Sequence, residues 1–195
     1  GLGTASADAA AALLGLNVLF GEPLEQEKLA ELGLCVGSDV PFCLTGGTQW
    51  AEGVGERLTP LPALASCSIV IVRPAEGMRT PEAFARYDAL TSPPTQPNSD
   101  ALRQALKDGS LGAVAAHCGN ALEASCPVAE VAVLKAALRA AGALGASMTG
   151  SGTAVFGLFS MEEEARAAAS ALAGSGRIIL CTRPAKRGVV LQPLV

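Results

Sequence analysis

Three stretches of this 195-residue chain combine small residues with the few polar side chains able to do chemistry. The first is Gly1-Leu2-Gly3-Thr4-Ala5-Ser6-Ala7-Asp8, which runs into an alanine- and leucine-rich segment. Small residues let the backbone approach a ligand, and a helix N-terminus adds unpaired amides and partial positive charge. Together these suit a phosphate. The same residues also read as a plain glycine turn with Ser6 as the helix cap. The stretch is not a Walker loop, because no Lys-Ser/Thr pair follows it. It is not a dinucleotide fingerprint either, since Ser6 stands at the third glycine position and no strand precedes it.

The second stretch is Gly37-Ser38-Asp39-Val40-Pro41-Phe42. Asp39 reads either as a turn or cap residue or as a carboxylate held on a rigid turn, where it would accept a proton from a hydroxyl. The third is Met148-Thr149-Gly150-Ser151-Gly152-Thr153-Ala154-Val155-Phe156, whose glycines form either a hairpin loop or a second ligand-contacting loop.

The elements that must position these stretches follow from periodicity and punctuation. Asp8–Phe20 is predicted helical, with Gly21 as a stop, and Leu24–Leu32 is predicted as an amphipathic helix ended by Gly33. A turn-rich stretch then leads to a hairpin around Thr48–Glu52, and Pro60-Leu61-Pro62 marks the best domain boundary. The expected division is therefore 1–62 and 63–195. Beyond the boundary Ser68–Arg73 is a buried strand, Thr80–Leu90 a helix, and Ser92–Ser99 a loop. Helices follow at Asp100–Lys107 (capped by Ser99 or Asp100), Gly112–Ala124 and Val128–Ala141. Strands Gly145–Thr149 and Ala154–Phe159 flank the third stretch. A helix at Glu162–Leu172 capped by Ser160, a strand at Arg177–Thr182 and a further strand at Gly188–Leu194 complete the pattern. Strand, helices, two strands, helix, strand is the split β-α-β-β-α-β order of ferredoxin-like domains.

Composition excludes several classes. Half the residues are hydrophobic and 16% charged, with a net charge of −4, the opposite of a disordered chain. No Lys/Arg run exists to bind nucleic acid or an anionic membrane surface. Mean hydropathy is +0.38, yet the longest apolar candidate, Ala9–Phe20, is too short to span a bilayer. No charged segment precedes an apolar one, so no signal peptide is expected. Six cysteines show no Cys-x-x-Cys pair and no metal-ligand spacing, and read as reduced, buried, small hydrophobes of a cytoplasmic protein, with no metal site. The opening at Gly1, without a Met and without a strand before the glycine turn, leads to the expectation that the N-terminal part of a longer protein is absent.

Taken in order, the motifs resemble the GHMP kinase superfamily, over nearly the whole chain. Gly1–Ala10 is similar to a Gly-Leu-Gly-Gly-Gly-Ser-Ser-Asp-Ala-Ala loop, and Gly37–Phe42 to a Gly-Ala-Asp-Val-Pro-Phe segment. Gly46-Gly47-Thr48 with Ala51–Glu56 resembles the hairpin that follows. Asn120-Ala121-Leu122-Glu123 resembles Asn-Asp-Leu-Glu, and Met148–Phe156 resembles Met-Ser-Gly-Ser-Gly-Ser-x-Val-Phe. Within the superfamily these segments are most similar to the branch acting on 4-diphosphocytidyl-2-C-methyl-D-erythritol. The sequence departs from the pattern where Thr4 and Ala5 replace glycines and Ala7 replaces a serine. A Cβ there is expected to restrict φ, and Ala7 loses a hydroxyl that would contact phosphate or Mg²⁺.

The resemblance implies an α+β fold: the remainder of a ribosomal protein S5 domain 2-like domain, then a ferredoxin-like domain. It implies transfer of the ATP γ-phosphoryl group to the substrate's 2-hydroxyl, with Mg²⁺, in the non-mevalonate isoprenoid route. Gly1, Leu2, Gly3, Thr4, Ala5, Ser6, Ala7 and Asp8 would cradle the phosphates, and Asp39 would be catalytic, accepting or orienting the hydroxyl proton. Gly150, Ser151 and Gly152 would form a loop against both ligands. Thr80, Pro81 and Phe84 would take the cytidine, with Phe84 stacking on the base or serving as a core residue. The partner is then a small molecule, neither nucleic acid nor membrane. The rival expectations are another GHMP kinase, of homoserine or mevalonate type, and a non-catalytic fragment that retains the fold.

Overall fold

In the computed structural model, which describes residues 2–174 and 176–192, contacts divide the chain into two units. One comprises Gly3–Ala63 with residues 185–192, the other Leu2 with Leu64–Pro184.

In the first unit, alanine and leucine lose little side-chain freedom in a helix and carry α1 over Thr4–Leu19. It starts at Thr4 rather than Asp8 because Gly3, at φ 62°, turns the chain into the helix without a side-chain cap. Buried Asn17 closes the connection to the next helix: its Nδ2 donates to Leu24 O at 2.9 Å and its Oδ1 accepts from Leu24 N at 3.1 Å. Helix α2 spans Gln26–Val36. Gly33, expected to end it, lies inside it, where a Cβ would stand 2.9 Å from Val40 Cγ1. Its role is close approach. It lets α3 (Val40–Thr45) press onto α2. Six residues within a turn-rich stretch are too few to show a helical period, so α3 is a helix that the sequence pattern hides. Strands β1 (Gln49–Glu52) and β2 (Arg57–Pro60) form the expected hairpin, Gln49 opposite Pro60.

Residues 185–192 run with this unit, whereas the expected division placed 63–195 together. The last carbonyls of a helix need partners, and the tail supplies them: Val189 N donates to Cys43 O at 3.1 Å and Gly188 N to Thr45 O at 3.3 Å. These bonds leave no strand at 188–192; the rest of the expected strand, 193–194, lies outside the described residues.

In the second unit the β-branched run becomes β3 (Ser68–Arg73), with Val70 and Val72 fully buried. Helices α4 (Thr80–Asp88), α5 (Ser99–Lys107) and α6 (Leu111–His117) follow. The cap of α5 is Asn98, whose Oδ1 accepts from Ala101 N at 3.0 Å, rather than Ser99 or Asp100. The helix expected over Gly112–Ala124 is broken: α6 ends at His117, and a 3-10 turn occupies Ala121–Ser125. Helix α7 (Glu130–Ala140), strands β4 (Gly145–Met148) and β5 (Val155–Phe159), helix α8 (Glu162–Ala171) and strand β6 (Ile178–Thr182) complete the unit. Met161, not Ser160, precedes α8, without a side-chain cap.

The sheet order is β4-β5-β3-β6, antiparallel throughout, with Val70 opposite Gly157 on one side and Cys181 on the other. That is the ferredoxin-like arrangement the element order predicted. Its core joins Val70, Val72, Val155 and Phe159 of the sheet to Leu134 and Leu138 of α7 and Ala165 and Ala168 of α8. All six cysteines are free; Cys67 is buried as expected, but Cys35 and Cys181 are exposed.

A Cβ on Gly188 would stand 2.1 Å from Cys43 O, against backbone that cannot swing aside. Gly188→Ala is therefore expected to displace the tail and destabilise this unit by about 1–3 kcal/mol. Urea unfolding followed by Trp50 fluorescence checks it, since Trp50 lies on β1 of the same unit.

Candidate functional site

The candidate residues fall on both units, and each set is built within its own unit. In the first, Thr4, Ala5, Ser6, Ala7 and Asp8 form the opening turn of α1, and all but the half-buried Ser6 are exposed. The first helical amide to meet a backbone carbonyl is that of Ala7, donating to Gly3 O at 2.9 Å. The amides of Thr4, Ala5 and Ser6 precede that bond and receive no side-chain cap. A Cβ built on Gly3 would meet nothing within 4 Å. Leu2 is exposed, and Gly1 lies outside the described residues.

Ser6 stands next to the second stretch: its Oγ lies 3.9 Å from where a Cβ on Gly37 would be. Two residues on, Asp39 takes the position before α3, with φ −89° and ψ −7°, and makes no side-chain cap bond to the helix. Its carboxylate is exposed and not consumed by the fold. Burial pushes the Cys43 thiol up, and the negative charge of Asp39 pushes it further, so the carboxylate's field reaches into α3. Ser38 is buttressed by the hairpin: a Cβ on Gly55, at φ 113°, would stand 2.8 Å from Ser38 O. The first two stretches are thus brought together by α1 packing on α3, with the hairpin turn behind the aspartate.

In the second unit, the loop after β4 is tied from three directions. Asn120 Nδ2 donates to Gly150 O at 2.7 Å and to Met148 O at 3.1 Å. The hydroxyls of Thr80 and Ser151 share a hydrogen bond of 2.9 Å. Thr153 Oγ1 donates to Glu76 O at 2.7 Å. Gly152 is buried at φ 88°, and a Cβ there would stand 2.6 Å from Met148 Sδ. Three predicted residues, Thr80, Ser151 and Gly150, are therefore joined in one network. Pro81 is exposed beside Thr80 at the start of α4. Phe84 is 52% exposed while its neighbour Ala83 takes the buried position, so the core alternative for Phe84 does not hold.

Beneath the loop sits Glu123. Its Oε1 accepts from Met148 N at 2.6 Å and Ser147 Oγ at 2.9 Å, and its Oε2 accepts from Lys135 Nζ. Burial alone would raise this carboxyl. The Lys135 ammonium, the Met148 amide and the Ser147 hydroxyl outweigh it, and the group is held below the usual carboxylate range. Among the described residues no three His, Cys, Asp or Glu side chains gather to hold a metal ion, and no helix is long and apolar enough to cross a membrane.

The family model described as "GHMP kinases N terminal domain" matches residues 1–47, and "GHMP kinases C terminal" matches residues 99–178. Both match in their family order, on the two units described above. The chain belongs to the GHMP kinase family. Among curated relatives, this GHMP kinase chain is 42% identical over 175 residues to the 4-diphosphocytidyl-2-C-methyl-D-erythritol kinase of Caldicellulosiruptor saccharolyticus. That alignment covers 88% of this chain and 60% of the relative. It is 43% identical over 188 residues to the kinase of the same name from Pelotomaculum thermopropionicum, covering 94% and 64%. The chain thus spans about three-fifths of the length of the curated relatives it matches. A crystal structure of 4-(cytidine 5'-diphospho)-2C-methyl-D-erythritol kinase superposes with a TM-score of 0.75 at 32% identity, covering 94% of this chain and 66% of that one. Homoserine kinase from Cytophaga hutchinsonii gives a TM-score of 0.68 at 21% identity, covering 94% and 65%, a likeness of fold alone.

The Asn120-x-x-Glu123 pair of this GHMP kinase family member was legible as a motif but carried no role. Spacing gives no sign that its two side chains reach residues 24 to 30 positions ahead. The carbonyl of Glu76 and the ammonium of Lys135 gave no sequence signal at all.

Because the Glu123 pKa is depressed in the fold, its contribution to stability is present above the ordinary carboxylate range and is lost as pH falls through it. Glu123→Gln is expected to flatten the acid limb of the stability curve from about pH 5 downward. Denaturant titrations of both proteins across that range check it; parallel acid limbs would refute it.

Proposed function

We propose that this chain carries the ATP-dependent phosphorylation of 4-diphosphocytidyl-2-C-methyl-D-erythritol at its 2-hydroxyl, the reaction its similar relatives are named for. The observation that supports the reading best is an uncapped helix N-terminus together with an exposed carboxylate, Asp39, at the start of α3, the helix that packs on α1 in the same unit. A phosphoryl donor needs the first and an alcohol acceptor needs the second.

In this reading the amides of Thr4, Ala5 and Ser6 and the Ser6 hydroxyl hold phosphate oxygens, with Gly1, Leu2, Gly3, Ala7 and Asp8 shaping the approach. The uncapped opening of α1 and the free space at Gly3 fit a phosphate chain. Asp39 accepts the proton of the substrate hydroxyl as its oxygen forms a bond to the γ-phosphorus. The bond from that phosphorus to the β,γ-bridging oxygen breaks, and ADP leaves. Gly150, Ser151 and Gly152 with Thr80, Pro81 and Phe84 bind the cytidyl alcohol, Phe84 offering an exposed ring for stacking on the base. Mg²⁺ belongs to this reading too, and the Ser6 hydroxyl and the exposed Asp8 carboxylate would help hold it with the phosphates. When bound it neutralises charge on the transferring group. The acceptor is a small molecule, and six free thiols accord with a reducing, cytoplasmic setting.

The test is formation of the 2-phosphate from ATP and the cytidyl alcohol, with homoserine and mevalonate as rival acceptors. Asp39→Asn keeps shape and removes the base, and is expected to lower kcat by roughly 10²–10⁴-fold with little change in melting temperature. Transfer to homoserine or mevalonate but not to the cytidyl alcohol would overturn the substrate assignment.

A further inference from the structure

We infer that Asn120 and Glu123, which face no ligand in the proposed reading, are positioning residues that fix the Gly150–Gly152 loop from behind. The inference rests on that reading for its functional half and on hydrogen bonds alone for its structural half. Asn120 has three polar bonds, all used. Its Oδ1 accepts from Leu122 N at 2.9 Å, which starts the 3-10 turn, while Nδ2 donates to Met148 O and Gly150 O at 3.1 and 2.7 Å. One carboxamide thus grips the last residue of β4 and the first glycine of the loop.

Within that turn, Glu123 takes the Met148 amide and the Ser147 hydroxyl and is itself neutralised by Lys135. The C=O and the N–H of Met148 are therefore both held by one turn, the first by its cap residue Asn120 and the second by Glu123 within it. The loop beyond leaves the strand in a fixed direction, with Gly150 at φ 57° and the Gly152 amide donating to Thr149 O at 3.0 Å. The Thr80–Ser151 bond then depends on that direction. Aspartate or serine at 120 keeps an acceptor for Leu122 N, since both cap turns well. Neither presents an N–H to Gly150 O.

Asn120→Asp and Asn120→Ser therefore separate the turn from the grip. In the full chain, amide exchange of Gly152 is expected to rise at least about five- to tenfold in both variants, since both Nδ2 bonds are lost and one net hydrogen bond already carries that scale. In the kinase assay, KM for the cytidyl alcohol is expected to rise about tenfold or more, because small misplacements of a positioning loop carry such factors. A merely structural lesion lowers the active fraction, and so kcat, without moving KM. A rise in Gly152 exchange with a raised KM and a near-unchanged melting temperature supports the inference. Unchanged exchange overturns it, as does raised exchange with wild-type KM. If the wild-type chain fails to phosphorylate the cytidyl alcohol, the proposed function falls, and the positioning role falls with it even where exchange has risen. If wild type turns over and the variants match it, only the positioning role falls.

Discussion

A carboxylate withdrawn from water must be met by donors or it works against the fold, and in the second unit that demand is made by Glu123. Its side chain is 19% exposed, and the three donors that satisfy it come from two other elements: Lys135 on α7, Ser147 and Met148 on β4. The helix expected over Gly112–Ala124 is broken on the way to those donors: α6 ends at His117, and the chain restarts after Asn120 as a tight turn that carries Glu123 at β4. Strand β4 is an edge, and an edge presents unpaired backbone groups. The Asn120–Glu123 turn covers those at Met148, so one turn joins the broken helix to the protected edge and the fixed start of the glycine loop.

The first unit is governed by close approach rather than by charge. A six-residue helix has almost no stability of its own, so α3 is held by what presses on it, and at three contacts the pressing residue is glycine. Gly33 admits Val40, Gly55 admits the Ser38 carbonyl, and Gly188 lets the tail reach Cys43 O. A fourth glycine, Gly46 at φ 68°, turns the chain out of α3 where a Cβ would fall 1.9 Å from Gly188 N. Asp39 directly precedes the helix these contacts hold, so its backbone is placed by them although its side chain makes no cap bond.

What the sequence made legible was whatever has a short period or a steep boundary. The β3 run was readable from its β-branched interior, and the two strands around Gly150 from the glycines that bound the turn between them. Helix α3 and the caps at Asn98 and Met161 were not. The first is shorter than the window that reveals a period, the Asn98 cap depends on one hydrogen bond that several neighbouring residues could make, and Met161 precedes α8 with no cap bond to mark it. Candidate residues were readable as types, since Asp39, Thr80 and the Gly150 loop stand in small-residue contexts. Their supports were not, because the reach from Asn120 to Gly150, or from Gly55 to Ser38, is created by topology and leaves no trace in spacing.

The opening loop shows the same division from the other side. Thr4 and Ala5 stand where the resembling loop has glycines, and a Cβ at those positions was expected to restrict the backbone. In the fold only Gly3 needs the left-handed region, at φ 62°; Thr4, Ala5, Ser6 and Ala7 are already helical, a conformation in which a Cβ carries no strain. Alanine within the first turn even favours the helix over glycine, by up to about 1 kcal/mol per position. The substitutions therefore firm up the N-terminus of α1 and leave its amides free, while the glycine that turns the chain is retained. Their cost is chemical, the hydroxyl missing at Ala7, which leaves Thr4 and Ser6 as the hydroxyls of that turn, with Ser6 lying beside Gly37 in the segment that carries Asp39.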